Sequence, residues 1–186
     1  MRLLLPLGAL ALLLAATACA DNEVPGPAVG EAFPHALEAP DQNGETRTLA
    51  GLYGENGAVV FFVRSADWCP FCRTQLADIN ARQSEFEALG LSIVSVSVDE
   101  VPLIRKFVDA ADIGYTMLAD PNGAINESLG IRDPQYPVGS AAFGVPRPVL
   151  YVIDRDGTIR LRYMEPTYRT RPDLDVVLAD ARKLGL

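Results

Sequence analysis

Histidine is nearly absent from this chain: among 186 residues only His35 carries an imidazole. A site built mainly from histidines is therefore excluded. Cysteine is scarce and odd in number, at three, so a framework pairing every cysteine within the chain is excluded too. Basic charge is in deficit: 16 Lys and Arg against 24 Asp and Glu leave a formal net charge of −8. An acidic chain does not attract nucleic acid or an anionic membrane surface, so neither is expected as a partner. Internal repeats and low-complexity stretches are missing, and nothing marks a second domain boundary. Beyond Ala20 no segment is apolar enough to span a membrane, which takes about 20 residues. What remains is an ordinary globular composition, 49% hydrophobic and 22% charged, long enough for one domain with a real core.

The first segment stands apart from that domain. Met1-Arg2 is a minimal basic start, Leu3 to Ala16 is almost wholly apolar, and small residues follow from Ala16 to Ala20. This is the anatomy of an export signal. The small-residue run ending at Cys19 resembles a bacterial lipoprotein signal, in which that cysteine is lipidated and becomes the new N-terminus. Plain cleavage after Ala18 or Ala20 competes with it. The expected division is a signal peptide over 1–18, a Pro- and Gly-rich tether over 19–30, and a folded domain over 31–186. The expected location is the bacterial cell envelope, with a lipid on Cys19 as membrane tether.

Within the domain, Phe33 to Leu52 holds the turn signal Asp41-Gln42-Asn43-Gly44 between short runs, which suggests a hairpin. Ala58 to Val63 is a continuous run of β-formers, fitting a strand buried on both faces. Pro70 to Leu89 reads as one helix with Leu76, Ile79, Phe86 and Leu89 on one side, ended by Gly90. Leu91 to Val98 alternates like a strand. Pro102 opens a helix whose apolar face is Leu103, Ile104, Phe107 and Val108. Tyr115 to Leu118 is a short strand and Ala124 to Leu129 a short helix. Val149 to Ile153 and Thr158 to Met164 are strands joined by the turn Asp154 to Gly157, and Pro172 to Leu184 is a last helix. The alternation predicts an α/β fold: a central mixed sheet flanked by helices on both faces, with an N-terminal hairpin extension. Gly130 to Gly144 is an irregular insertion, read as a connection in preference to a partner-binding loop.

The chemistry concentrates in Ser65-Ala66-Asp67-Trp68-Cys69-Pro70-Phe71-Cys72. Two cysteines three apart fall where a buried strand meets a helix. Backbone N–H groups and the helix dipole stabilise an anion there, which lowers a thiol pKa. The first cysteine is expected to face solvent and the second to lie one turn inward. The pair can close a small disulfide ring and reopen it by exchange. Half of a zinc site and an inert structural disulfide are the competing readings; zinc lacks a second pair of ligands, His35 being the lone candidate.

These segments resemble the thioredoxin superfamily, and within it the branch holding peroxiredoxins (alkyl hydroperoxide reductase and thiol-specific antioxidant proteins) and envelope thioredoxin-like proteins. The similarity runs from about Val29 to Leu184 through VGEAFPHALEAPDQNGETRTL, FFVRSADWCPFCRTQL, SIVSVSVDE, MLADPNGAINESLGI and VPRPVLYVIDRDGTIR. It implies a thioredoxin-like fold. It implies Cys69 as the attacking cysteine, Cys72 as the resolving one, Trp68 as the aromatic beside them, and Pro148 as the cis-proline facing the disulfide, with Pro146 as a rival. Two departures stand out. The buried acid of thioredoxins is replaced by Val63, with Arg64 adjacent as a group able to stabilise a thiolate. The Pro-x-x-x-Thr pattern of peroxiredoxins, aligned on Cys72, falls on Ser65 and Cys69. The arginine that peroxiredoxins place at Pro148 has Arg147 one residue away.

The expected activity is thus an extracytoplasmic thiol–disulfide oxidoreductase with no cofactor beyond its redox disulfide. Pro70 and Phe71 tune the pair, and Trp68, Arg64 and Arg147 shape the site. The expected partners are a protein disulfide or a hydroperoxide, and an unidentified electron donor. The alternative is a thiol peroxidase passing through a cysteine sulfenic acid. A copper-delivery protein of the same fold, and a tethered binding module with a silent site, are more distant alternatives.

Overall fold

The computed structural model describes residues 24–34 and 36–185. Cys19, the leader and His35 lie outside the described residues. Among the described residues seven strands and five α-helices follow in chain order: β1 (Glu38–Pro40), β2 (Thr46–Thr48), β3 (Gly57–Phe62), α1 (Pro70–Ala81), α2 (Gln83–Glu87), β4 (Leu91–Ser97), α3 (Val101–Ala111), β5 (Thr116–Ala119), α4 (Ala124–Ser128), β6 (Val149–Asp154), β7 (Ile159–Met164) and α5 (Leu174–Lys183).

The main sheet has the order β5-β4-β3-β6-β7. β3 pairs in parallel with β4, and β4 with β5, while β6 runs antiparallel to both β3 and β7. The sheet is mixed, as the strand–helix alternation predicts. Every residue of β3 is buried, because this central strand is packed on both faces. Its alternation divides the core. Val59 and Phe61 join Leu76, Ile79, Phe86, Ile104, Phe107, Val177 and Leu178 on the helical face. Val60 and Phe62 join Phe33, Leu49, Leu129, Ile131 and Tyr151 on the other. α1, α2, α3 and α5 therefore share one face. The second is covered by α4, the residues after it, and the N-terminal hairpin.

That hairpin is set by Asp41, whose Oδ1 accepts from the N–H of Asn43 (2.8 Å) and Glu45 (3.0 Å). Gln42 ties it to the sheet edge by accepting the Met117 N–H at 3.0 Å. Among the described residues no helix is long and apolar enough to cross a membrane.

Several boundaries depart from the periodicity reading. The helix expected over Pro70 to Leu89 is two, broken at Arg82 (φ −111°, ψ 13°). Tertiary contacts impose the break: Asn80 clamps the end of α3 by donating to Asp112 O (3.0 Å) and accepting from Gly114 N (2.8 Å). Leu103, expected on the core face of α3, is exposed; the buried stripe is Ile104 and Phe107, with Val101, Val108 and Ala111 beside it. Pro172 lies outside α5, which starts under a cap from Asp173 to the Asp175 N–H (2.8 Å).

Candidate active site

Cys69 is the N-cap residue of α1, with Pro70 in its first turn, where the missing N–H costs nothing. Cys69 and Cys72 are disulfide-bonded across a Cα–Cα distance of 5.3 Å. Cys69 Sγ also accepts the Cys72 N–H at 3.3 Å, so the helix start points a backbone donor at this sulfur. The first cysteine was expected to face solvent. It does not: Cys69 is 2% exposed and Cys72 is 0%, because both sulfurs turn into the helical-face core. The residues flanking Cys69 in the motif carry the exposure instead, with Trp68 and Phe71 open beside the buried pair.

The loop before Cys69 is organised by a residue that sequence reasoning missed. Asp99, buried after β4, accepts from Ser65 Oγ (2.6 Å), Ala66 N (2.6 Å) and Ser97 Oγ (2.8 Å). Ser65 Oγ in turn accepts the N–H groups of Asp67 and Trp68, both at 3.0 Å. Ser65 thus holds the turn at the position where the Pro-x-x-x-Thr pattern has its proline. The Ser-x-Asp spacing in Ser97-Val98-Asp99 was a visible signal, but its partner lies 34 residues away.

Arg64 is buried. Its guanidinium carbon lies 4.2 Å from the Tyr168 ring centre, 4.9 Å from Tyr136 and 5.1 Å from Trp68. Three π-faces thus surround a desolvated cation. Tyr136 belongs to the Gly130 to Gly144 insertion, so that segment, read as mere connection, packs against the site. Tyr168 also meets Phe71 edge to face at 6.0 Å.

The guanidinium at the cysteines is that of Arg171, a second residue the sequence reading missed. Arg171 Nη2 approaches Cys72 Sγ at 3.4 Å and its Nε donates to Gln75 Oε1 at 2.5 Å. Nη1 holds the carbonyls of Thr170 (2.7 Å) and Tyr168. Burial, together with the like charge of Arg64, pulls Arg171 down to about 10, still protonated at neutral pH. The Arg-Thr-Arg-Pro run before α5 was its only trace in the sequence.

Arg147, the nearest sequence candidate, is exposed, and its N–H donates to Ile131 O at 2.8 Å. The expectation of a cis bond before Pro148 is overturned: every peptide bond among the described residues is trans. The segment entering β6 is held by the bridge of Arg132 with Pro146 and by that Arg147 bond. Pro148 still lines a small cleft with Gln75, Tyr163, Glu165 and Arg171, so it remains at the site. Val63 is wholly buried, and the group on Cys72 is a cation where thioredoxins have an acid nearby.

Comparison with known proteins agrees with this fold. The peroxidoxin BcpB of Mycobacterium tuberculosis superposes with a TM-score of 0.71 at 24% identity, covering 84% of this chain and 97% of that one. A cysteine mutant of the peroxiredoxin 6 of Arenicola marina superposes with a TM-score of 0.75 at 20% identity, over 86% of this chain and 74% of that one. In sequence, the 1-Cys peroxiredoxin PER1 of Hordeum vulgare is 27% identical over 163 residues, 84% of this chain and 72% of that protein. Peroxiredoxin Bcp of Escherichia coli K12 is 24% identical over 139 residues, 75% of this chain and 86% of that protein. The model of the AhpC/TSA family matches residues 29–162, ending within β7. Its disulfide therefore sits on a peroxiredoxin-like member of the thioredoxin superfamily: the chain belongs to the AhpC/TSA family and is a thiol-dependent oxidoreductase.

Proposed function

We propose that this chain is a peroxiredoxin-type thiol peroxidase in which Cys72 attacks the hydroperoxide and Cys69 resolves it. The sequence reading put Cys69 first, as the nucleophile of a thiol–disulfide oxidoreductase. Family membership and relatives named as peroxiredoxins favour the peroxidase. The observation that carries the assignment to Cys72 is the Arg171 guanidinium, 3.4 Å from its sulfur. A cation there favours the thiolate, the form that attacks. In the reaction the Cys72 thiolate attacks one peroxide oxygen, the O–O bond breaks, and the leaving alkoxide takes a proton to depart as alcohol. Cys72 is left as a sulfenic acid. Cys69 then attacks that sulfur, water departs, and the Cys69–Cys72 disulfide forms. An external thiol donor returns the two electrons. Mature chain exported to the cell envelope, tethered through a lipid on Cys19, is part of the same proposal.

The test is single turnover on reduced protein. Cys69→Ser is expected to consume one equivalent of hydroperoxide and to yield a dimedone adduct on Cys72. Cys72→Ser is expected to lose peroxide consumption by at least 100-fold, on the order of what removing a nucleophile costs. Peroxide consumption at the wild-type rate in Cys72→Ser refutes the assignment. Metabolic labelling with palmitate, lost in Cys19→Ala, tests the tether.

A further inference from the structure

The end of the sheet that carries the cysteines has an apolar, cationic surface. Trp68 and Phe71 stand open there, and Val138, two positions beyond Tyr136 on the insertion, is 83% exposed. The rings form one patch: Trp68, Tyr136 and Tyr168 enclose the Arg64 guanidinium, and Phe71 meets Tyr168. Exposed aromatic rings grouped in this way mark an interaction surface. Arg147 and Arg169 are exposed at the same end, with Arg169 at 5.3 Å from the Tyr168 ring centre. Among the described residues neither joins an ion pair, nor do Arg64 and Arg171. The acids of the same segments, Asp67 and Glu165, are half-buried. The net charge of −8 sets the chain as a whole against an anionic surface, and this face is the exception.

The N-terminal strap says what lies opposite that face. The Phe33 N–H donates to Gly157 O and the Gly30 N–H to Ile159 O, both at 2.8 Å. Followed back from there, the strap climbs β7 to Arg162, whose Nη1 donates to the carbonyls of Pro27 (3.0 Å), Gly26 (3.2 Å) and Val24 (3.4 Å). That direction leads toward Met164, which pairs with Val149, itself paired with Phe62 at the end of β3 that runs into the site. Cys19 stands five positions before Val24, a reach of at most about 18 Å. An anchor at Cys19 therefore holds the bilayer close to the end of the strap that points toward the cysteines.

We propose that this end of the domain docks on a lipid bilayer, with Trp68, Phe71 and Val138 at headgroup depth and Arg147 and Arg169 on lipid phosphates. The orientation rests on the lipid tether proposed above; the reaction assigned to Cys72 does not enter. An indole favours the bilayer interface because it is an apolar ring with one polar N–H. Arginines beside an anionic leaflet add an attraction that fades within a Debye length. A tether leaving toward the same end brings this face to the lipid.

Trp68 is the only tryptophan of the chain, so its emission reads the face directly. The mature chain, isolated from expressing cells with whatever N-terminus it carries, is added to excess vesicles of phosphatidylethanolamine and phosphatidylglycerol. Vesicles with a doxyl label near the headgroup are expected to remove about half or more of the Trp68 emission left by unlabelled vesicles, and the emission is expected to shift to the blue. Val138→Asp, at a residue too exposed to matter for the fold, is expected to cut that quenching about threefold, and Arg147→Glu with Arg169→Glu to do the same. Flotation separates the outcomes. Lipidated chain that floats while Trp68 escapes the labelled lipid is tethered but not docked, which overturns the proposal. Chain without the lipid is expected to show the same quenching, so the docked face survives a failed tether; neither flotation nor quenching overturns both. Trp68 shielded from iodide yet not quenched by labelled lipid assigns the face to a protein and overturns the proposal as well. Peroxide consumption is read on separate samples, and its loss bears on the Cys72 assignment alone.

Discussion

Asp99 is the residue whose removal tests how the site is held. It accepts three hydrogen bonds in a buried setting, from Ser65 Oγ, Ala66 N and Ser97 Oγ. Asp99→Ala leaves those donors without an acceptor and opens space that the chain around them must fill. A buried group left unpaired costs about 1–3 kcal/mol. The three share one acceptor and do not add in full, so the expected loss is about 3–5 kcal/mol. For a domain of this size each kcal/mol shifts Tm by about 2–4 °C, so Tm is expected to fall by about 6–20 °C. Asp99→Asn keeps the shape and one acceptor oxygen and is expected to lose roughly half as much. The assay is thermal and urea unfolding followed by circular dichroism on oxidised protein. Because Ser65 also accepts from Asp67 and Trp68, the loop to Cys69 loosens with it, and dithiothreitol is expected to reduce the disulfide faster in Asp99→Ala. A Tm within about 2 °C of wild type, with an unchanged reduction rate, refutes the idea that Asp99 organises the site.

Three further outcomes are expected. Gly57 has φ +129°, and a Cβ there would strike the Ile153 carbonyl and approach Asp154 Cα to 2.8 Å, so Gly57→Ala should cost about 3 kcal/mol or more in urea unfolding; a loss under about 1 kcal/mol would contradict the β3–β6 register. Tyr136→Ala removes one ring from Arg64, worth about 0.5–2 kcal/mol, and should free the insertion, seen as faster trypsin cleavage after Arg132; unchanged cleavage argues against the docking. Hydrogen bonding to Arg82 holds Glu85 below the ordinary range, and bonding to Lys183 and Tyr163 does the same for Asp180. Carboxylates lowered in the folded state stabilise it above their unfolded pKa and lose that effect as pH falls through the folded value. Glu85 reaches Arg182 on α5, and Asp180 on α5 takes the Tyr163 hydroxyl, so amide-exchange protection of α5 should drop between pH 5 and 3; equal protection at both pH values would refute it.

The sequence by itself determined the elements and the chemistry. An unbroken β-forming run made β3 central, Pro70 and Pro102 set helix starts, and two cysteines at a strand–helix junction announced a redox pair. These signals are local, carried by propensity and by periods of two and 3.6 residues. The break at Arg82 was not legible, because Asn80 meets the end of α3 only in the folded chain; the Asp173 cap that starts α5 is by contrast a local signal, which a start at Pro172 passes over. The site's electrostatics were decided later still. Arg171 lies 99 positions from Cys72, Asp99 lies 34 from Ser65, and Tyr136 and Tyr168 come from separate connections to enclose Arg64. Such contacts depend on which strands neighbour which and on where the connections cross. No local pattern encodes that, so tertiary structure alone chose the arginine that faces Cys72, and passed over Arg147.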